Sequence, residues 1–335
     1  MKQKTTFKPI RFFQNLLLIA ISTFVCILII EIAYRYQLFD FYKSEFNHLN
    51  KKTLQKKSSK KVLVFGDSFT AAANSYVNIL NDSLNDITFV NAAIPGIGAQ
   101  EINCLANNRI QETNPSLVIV QVYIGNDLID IEKPINWGTI SFGRNLYWLL
   151  SNPFYSLRYF NYKLGQLKHA FGQSVETEFL KTNDTFSAEK MSKREKLLLQ
   201  ADPNYYERSI NIKPDFENRF TVFIKQINKI TALCVSKNIP IKMLVIPASC
   251  QVSSYYKTNL ETCGATFNDN NTFDSNYPFV TQLKQQINPA SIEVINPLPF
   301  MQQIDSTGNR LYFENDLHLN NQGNMELAKF MMLHL

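Results

Sequence analysis

The chain has 335 residues, 45% of them hydrophobic and 13% aromatic. That is enough apolar material for a full core, and it excludes a disordered chain, a collagen-like repeat or a small disulfide-held scaffold. The net charge of +6 is unevenly spread: residues 1–61 hold twelve Lys and Arg against three acids, leaving the other 274 residues at −3, so the body lacks the basic field that nucleic-acid binding needs.

The first predicted element is a membrane-spanning helix. Lys2, Lys4, Lys8 and Arg11 precede a run, Leu16 to Ile30, that is apolar except at Ser22 and Thr23 and extends back to Phe12. As a helix those 19 residues cover roughly 28 Å, about one hydrocarbon core, and they are apolar on every face. A cleaved signal peptide needs small residues at its processing site, where Glu31-Ile32-Ala33-Tyr34-Arg35-Tyr36 offers bulky ones. Residues 1–37 therefore read as a cytoplasmic stub and an uncleaved signal anchor, inserted in the membrane through residues 12–34. Only Arg35 and Lys43 are basic in the 20 residues that follow, so the N-terminus is expected inside and the body exported. Residues 38–60, polar and Lys-rich, read as a linker to a domain over residues 61–335.

From residue 61 the pattern is α/β. Val62-Leu63-Val64-Phe65 stops at Gly66-Asp67-Ser68 as a buried parallel strand stops before its helix. Ile87–Asn91 and Leu117–Tyr123 repeat this, with helical stretches at Tyr76–Leu84 and Ala99–Gln111 between them. A fourth strand, Ile241–Ile246, follows an amphipathic helix over about Phe216–Lys237; a fifth is Ile292–Ile295, and the last helix is Gln322–Leu333. This alternation predicts a five-stranded parallel sheet covered on both faces. Residues from about 130 to 215 break the rhythm and read as a mostly helical insertion. Its aromatics can form a small core, a lid over a site or a face resting on a membrane. Cysteines at 26, 104, 234, 250 and 263 show no zinc-ligand spacing; Cys250 and Cys263 could pair across a polar interval, or the thiols could all stay free and buried.

Four segments at the ends of these elements carry chemistry, where an open α/β sheet binds its ligands. Gly66-Asp67-Ser68 follows the first strand, and its ordinary reading is a turn with a helix cap. Asn91-Ala92-Ala93-Ile94-Pro95-Gly96 follows the second and could be a plain glycine loop. Gly125-Asn126-Asp127 follows the third and could be a capped turn. Asp316-Leu317-His318-Leu319-Asn320 precedes the last helix and could be an acidic cap region with an incidental histidine.

Together and in this order the four segments resemble the SGNH hydrolases, the GDSL-type esterase superfamily, over about residues 61–129 and 216–335. The resemblance implies a three-layer α/β/α, flavodoxin-like fold that needs no cofactor or metal. It implies Ser68 as nucleophile, Gly96 and Asn126 as oxyanion-hole donors, and Asp316 and His318 as acid and base. Many members place the acid three positions before the histidine, whereas here the spacing is Asp-x-His and position 315 is Asn, so the acid is Asp316 or else Glu314. The shorter form looks like that of membrane-anchored bacterial members.

The residues support these roles on their own. Serine is a weak nucleophile until a neutral imidazole takes its proton. His48 falls in the linker, His169 in the insertion and His334 next to the last residue, which leaves His318. Asp316 can hold the imidazole Nδ1–H and stabilise the imidazolium. The Ser68 and Gly96 amides and the Asn126 side chain can hold a tetrahedral oxyanion, while Asp67 and Asp127 are expected to cap local backbone. The expected function is that of a membrane-tethered serine esterase, exported, removing acyl groups, acetyl foremost, from cell-envelope carbohydrate. The alternatives are an O-acyltransferase with the same triad, a lipase or thioesterase, and a non-catalytic envelope scaffold.

Overall fold

The computed structural model describes residues 9–51, 53, 58, 60–131, 137–170 and 185–335. The expected cytoplasmic stub as far as residue 8, Lys52, Lys56 and Lys57 of the expected linker, and residues 132–136 and 171–184 of the expected insertion lie outside them. The sheet comprises β1 (Lys60–Phe65), β2 (Ile87–Asn91), β3 (Leu117–Tyr123), β4 (Ile241–Ile246) and β5 (Ile292–Ile295), all parallel, in the order β2-β1-β3-β4-β5. Leu63 at the centre lies between Val90 of β2 and Val118 of β3. These strands are continuous apolar runs because both faces are covered: Val62–Phe65 and Val118–Tyr123 are buried throughout.

Fifteen α-helices accompany the sheet among the described residues. In chain order they begin with α1 (Pro9–Arg35), α2 (Lys43–Leu49), α3 (Ser68–Ala71), α4 (Tyr76–Ser83) and α5 (Ala99–Thr113). The segment between β3 and β4 holds α6 (Phe142–Ser151), α7 (Ser156–Ala170), α8 (Lys193–Ala201), α9 (Tyr205–Asn211) and α10 (Pro214–Ser236). Last come α11 (Ser249–Val252), α12 (Ser254–Thr262), α13 (Pro278–Gln286), α14 (Leu298–Ser306) and α15 (Asn321–Met332). α5 packs on α10 and α4 on α15. The chain leaves β1 toward β2 and then crosses to β3 on the other side, so right-handed crossovers put α4 and α5 on opposite faces. The same reversal parts the loops after β1 and β3 and leaves a crevice at the carboxyl ends of the central strands.

Residues 40–50 differ from the expected free linker. α2 docks on the domain with Tyr42 and Phe46 buried, and the buried Arg109 bonds Asp40 with its guanidinium 4.1 Å over the Phe46 ring. Asn50 gives its side-chain amide to the Asn91 carbonyl and accepts from the Asn91 amide, both near 2.8 Å, so it satisfies the exposed edge of β2 as a neighbouring strand would. The run is polar because one side of a short helix and one amide suffice for this contact. The cysteines are also settled: all five are free thiols, and the interval between Cys250 and Cys263 is occupied by α12 rather than by a polar loop.

α1 is long and apolar enough over Arg11–Arg35 to cross a membrane, with a mean hydropathy of 2.8 and little of its surface buried. Its last turn is different. Tyr34 is buried against Phe41 and Tyr42, and the Glu31 carboxylate accepts the Tyr155 and Ser156 amides, each at 2.9 Å, at the start of α7.

Candidate active site

The turn after β1 is shaped by close approach. A Cβ on Gly66 would meet Gln121 Oε1 at 2.4 Å and Thr70 Oγ1 at 2.6 Å, so a larger residue would force the turn open. Gln121 Oε1 accepts from the Asp67 amide and the Thr70 hydroxyl, each at 3.0 Å, and Asp67 caps α3 by accepting from the Phe69 amide at 2.9 Å. Ser68 thereby becomes the first residue of a helix starting at the sheet's carboxyl edge.

The histidine comes from the far end of the chain. The segment before α15 folds back on itself, with Tyr312 bridged to Leu319 and the Phe313 amide bonded to the His318 carbonyl at 3.0 Å. Asn320 fastens it by donating to the Arg310 and Tyr312 carbonyls while capping α15 through the Gly323 amide at 2.8 Å. Asn315 ties it to the insertion, accepting from the Ser187 amide and donating to the Thr185 carbonyl. In this loop His318 Nε2 lies 2.7 Å from Ser68 Oγ, and His318 Nδ1 is hydrogen-bonded to Asp316 Oδ1. Asp316 also accepts the His318 backbone amide at 2.9 Å. An ionised carboxylate only accepts, so Nδ1 carries the proton, and Nε2 is left to accept from the serine hydroxyl. Phe69 lies between His318 and Tyr123, with centroids at 4.9 and 4.3 Å and the rings tilted, and packs against the imidazole. Glu314 is engaged elsewhere, accepting from the Tyr255 hydroxyl at 2.6 Å.

Gly96 follows β2 at φ +76°, a left-handed conformation suited to glycine, and Asn126 follows β3, nearly buried. The loops are joined to one another: the Ile94 amide bonds the Gly66 carbonyl at 3.1 Å, and the Asn91 side chain donates to the Thr70 carbonyl at 2.8 Å. Among the described residues, no hydrogen bond uses the Ser68 amide, the Gly96 amide or the Asn126 side chain. Asp127 caps locally, as expected, accepting the Tyr123 amide. Burial pushes the Asp67 carboxyl up, and burial together with the charge of Asp67 pushes that of Asp127 well up.

Two hollows adjoin these loops. Ser68 and His318 line a small one of 170 Å³ with Ala72, Asn74, Phe313 and Asn324. Gly96 lines the other, a cleft of 710 Å³ walled by the insertion through Arg144, Tyr147, Trp148, Arg158 and Arg194. Arg158 is bound to Glu101 at 2.6 Å and to the Asp130 carbonyl at 2.9 Å, while its Nε and Nη2 are buried without hydrogen-bond partners among the described residues. Arg194 faces the Asp130 carboxylate at 3.6 Å. Arg144 pairs with no carboxylate among the described residues; it lies over Trp137, and burial and the charge of Arg194 lower its affinity for its proton. Burial raises Asp130 to about 6, against the pull of Arg194 and Arg158. The cleft thus carries more guanidinium than carboxylate. Spaced along the chain, these arginines gave no local pattern, whereas Gln121 could have been singled out as the one amide inside an apolar strand.

No protein-family model matches the chain, and no curated protein matches it. Solved structures similar to it include an acetyl xylan esterase, AlAXEase, with a TM-score of 0.44 and 14% identity, covering 82% of this chain and 99% of that one. A member of the lipolytic protein G-D-S-L family from Veillonella parvula gives 0.40 and 13%, covering 82% and 97%. A catalytic mutant of an acetylxylan esterase from Geobacillus stearothermophilus gives 0.42 and 10%, covering 83% and 95%. Likeness at this level carries no argument about the reaction.

Proposed function

We propose that the chain is a serine hydrolase of the SGNH type. More particularly, it is a membrane-tethered esterase that removes short acyl groups from cell-envelope glycans on the exported side. The observation that carries the reading is the hydrogen-bonded run from Ser68 Oγ through His318 to Asp316. Ser68 Oγ attacks the ester carbonyl as His318 Nε2 takes its proton, and the Asp316 carboxylate stabilises the imidazolium. The open amides of Ser68 and Gly96 and the side chain of Asn126 receive the oxyanion. The sugar hydroxyl leaves with the proton from His318, and water, deprotonated by the same nitrogen, releases the acid and restores Ser68.

The small hollow at Ser68, 170 Å³, is well under the roughly 300 Å³ at which drug-sized sites begin. It suits acetyl rather than a long acyl chain. The larger cleft, with its aromatic rings and surplus guanidinium, suits a glycan bearing carboxylate or phosphate. The test is turnover by the full chain in detergent, supplied with acetylated acidic and neutral oligosaccharides and with long-chain esters. Acetate release that vanishes in Ser68→Ala and a fluorophosphonate label confined to the Ser68 peptide are expected. Full turnover in Ser68→Ala overturns the mechanism, and acetyl transfer to a sugar hydroxyl in preference to water would make the protein an acyltransferase.

A further inference from the structure

Outside α1, fifteen large apolar side chains are exposed among the described residues, and ten of them lie on just three segments: residues 36–39, α6 and α7. On α6 they are Phe142, Leu146 and Leu149, with Leu150 beside them; on α7 they are Phe160, Leu164 and Leu167. Both sets repeat at i, i+4 and i+7, which places each on one stripe of its helix. The opposite sides of the same helices already have partners. Arg144 and Tyr147 of α6 and Arg158 of α7 wall the cleft, while Tyr159 and Tyr162 of α7 pack on Phe41 and Tyr42. A surface helix ordinarily turns its polar side outward; here the outer side is the apolar one, Phe142 being 78% and Leu164 58% exposed.

We infer that the outer stripes of α6 and α7 lie in the surface of the bilayer that α1 enters, so that the domain is seated on the membrane as well as tethered to it. The inference rests on the membrane-spanning reading of α1. The argument for lipid rather than another occupant is continuity. The turn joining α6 to α7 is bonded directly to the end of the apolar run. Glu31 caps the first amides of α7, and Arg35 donates to the Pro153 carbonyl at 2.8 Å and lies 4.1 Å over the Tyr155 ring. α6 therefore ends, and α7 begins, where α1 leaves the hydrocarbon. Between them and α1 in the chain, Tyr36, Leu38 and Phe39 are exposed, a cluster with the aromatic and apolar character of residues at a membrane interface. A helix with an apolar side outward and arginines inward lies in the interface plane rather than crossing it.

The full chain, reconstituted in nanodiscs of phosphatidylethanolamine and phosphatidylglycerol, tests this with a benzophenone photo-crosslinker placed singly at Phe24, Phe142, Phe160 or Phe273. Phe24 lies in α1, and Phe273 is exposed on the segment between α12 and α13. Lipid adducts are expected at Phe24, Phe142 and Phe160 and none at Phe273. Adducts at Phe24 alone overturn the seating while leaving the anchor intact. Crosslinks from Phe142 and Phe160 to a second copy of the chain in place of lipid overturn it in favour of self-association. Absence of lipid at Phe24 removes the anchor, and the seating with it. Ester turnover in detergent is independent of all these outcomes.

Discussion

At Ser68 the strand end supplies a hydroxyl, and everything that makes it reactive arrives from 250 residues away. Two carboxylates were candidates for the third position, and their partners separate them: Asp316 holds His318, while Glu314 accepts from Tyr255. Asp316→Asn should lower kcat by an order of 10⁴-fold with the fold intact, since an amide favours the wrong imidazole tautomer. Glu314→Gln should leave kcat near that of the native chain, and steady-state kinetics on both variants checks the assignment. Asp127 offers a test of burial. Its carboxyl is held above the ordinary value, so the folded state keeps the proton that the unfolded chain gives up, and stability falls as pH rises from the ordinary carboxylate range through the raised one. Asp127→Asn keeps an acceptor for the Tyr123 amide and does not titrate. Its advantage in thermal unfolding temperature should be larger at neutral pH than at pH 4, where the ordinary carboxylate range begins; an advantage that shrinks with pH would contradict the raised value.

Elements that bury a whole face are legible from their residues, and elements that bury a single side chain or amide are not. The five strands and the helices at α4, α5, α10 and α15 match apolar runs or 3.6-residue periods to within a few residues. α2 escapes such reading because its signal is Tyr42 and Phe46 in an otherwise polar segment. The four loop segments that suggested the site could be read because each is a short motif at the end of one element; the cleft arginines could not, because they meet only through tertiary structure. Asn50→Ala tests the least legible of these contacts. It leaves the amide and carbonyl of Asn91 buried without partners, which typically costs about 1–3 kcal/mol, to be read as a lower denaturant midpoint at unchanged slope.

Over the whole molecule, the insertion makes three connections: it walls the cleft, ties down the His318 loop through Asn315 and bonds the end of α1. In the cleft, Asp130 near pKa 6 opposes the guanidinium groups only when ionised. The KM for acidic acetylated oligosaccharides should therefore fall as pH is lowered from 7 to 5. One charge at contact distance in a water-like dielectric gives about 1 kcal/mol, roughly fivefold, and Asp130→Asn should flatten the change. Arg144→Gln should raise that KM more than the KM for neutral oligosaccharides. A chain beginning at residue 38 loses the Glu31 cap on α7, typically worth about 0.5–2 kcal/mol, together with buried Tyr34. It should unfold at a lower temperature than the full chain. Where α1 spans a bilayer, as proposed, its bonded joint with α7 also has a kinematic consequence. A catalytic domain on a slack tether samples a hemisphere of the surrounding space, but a welded one is confined to a thin slab at a single height above the lipid. On the proposed reading, an esterase held in this way diffuses in two dimensions with a constant reach and meets the glycan layer only at the depth where that slab cuts it.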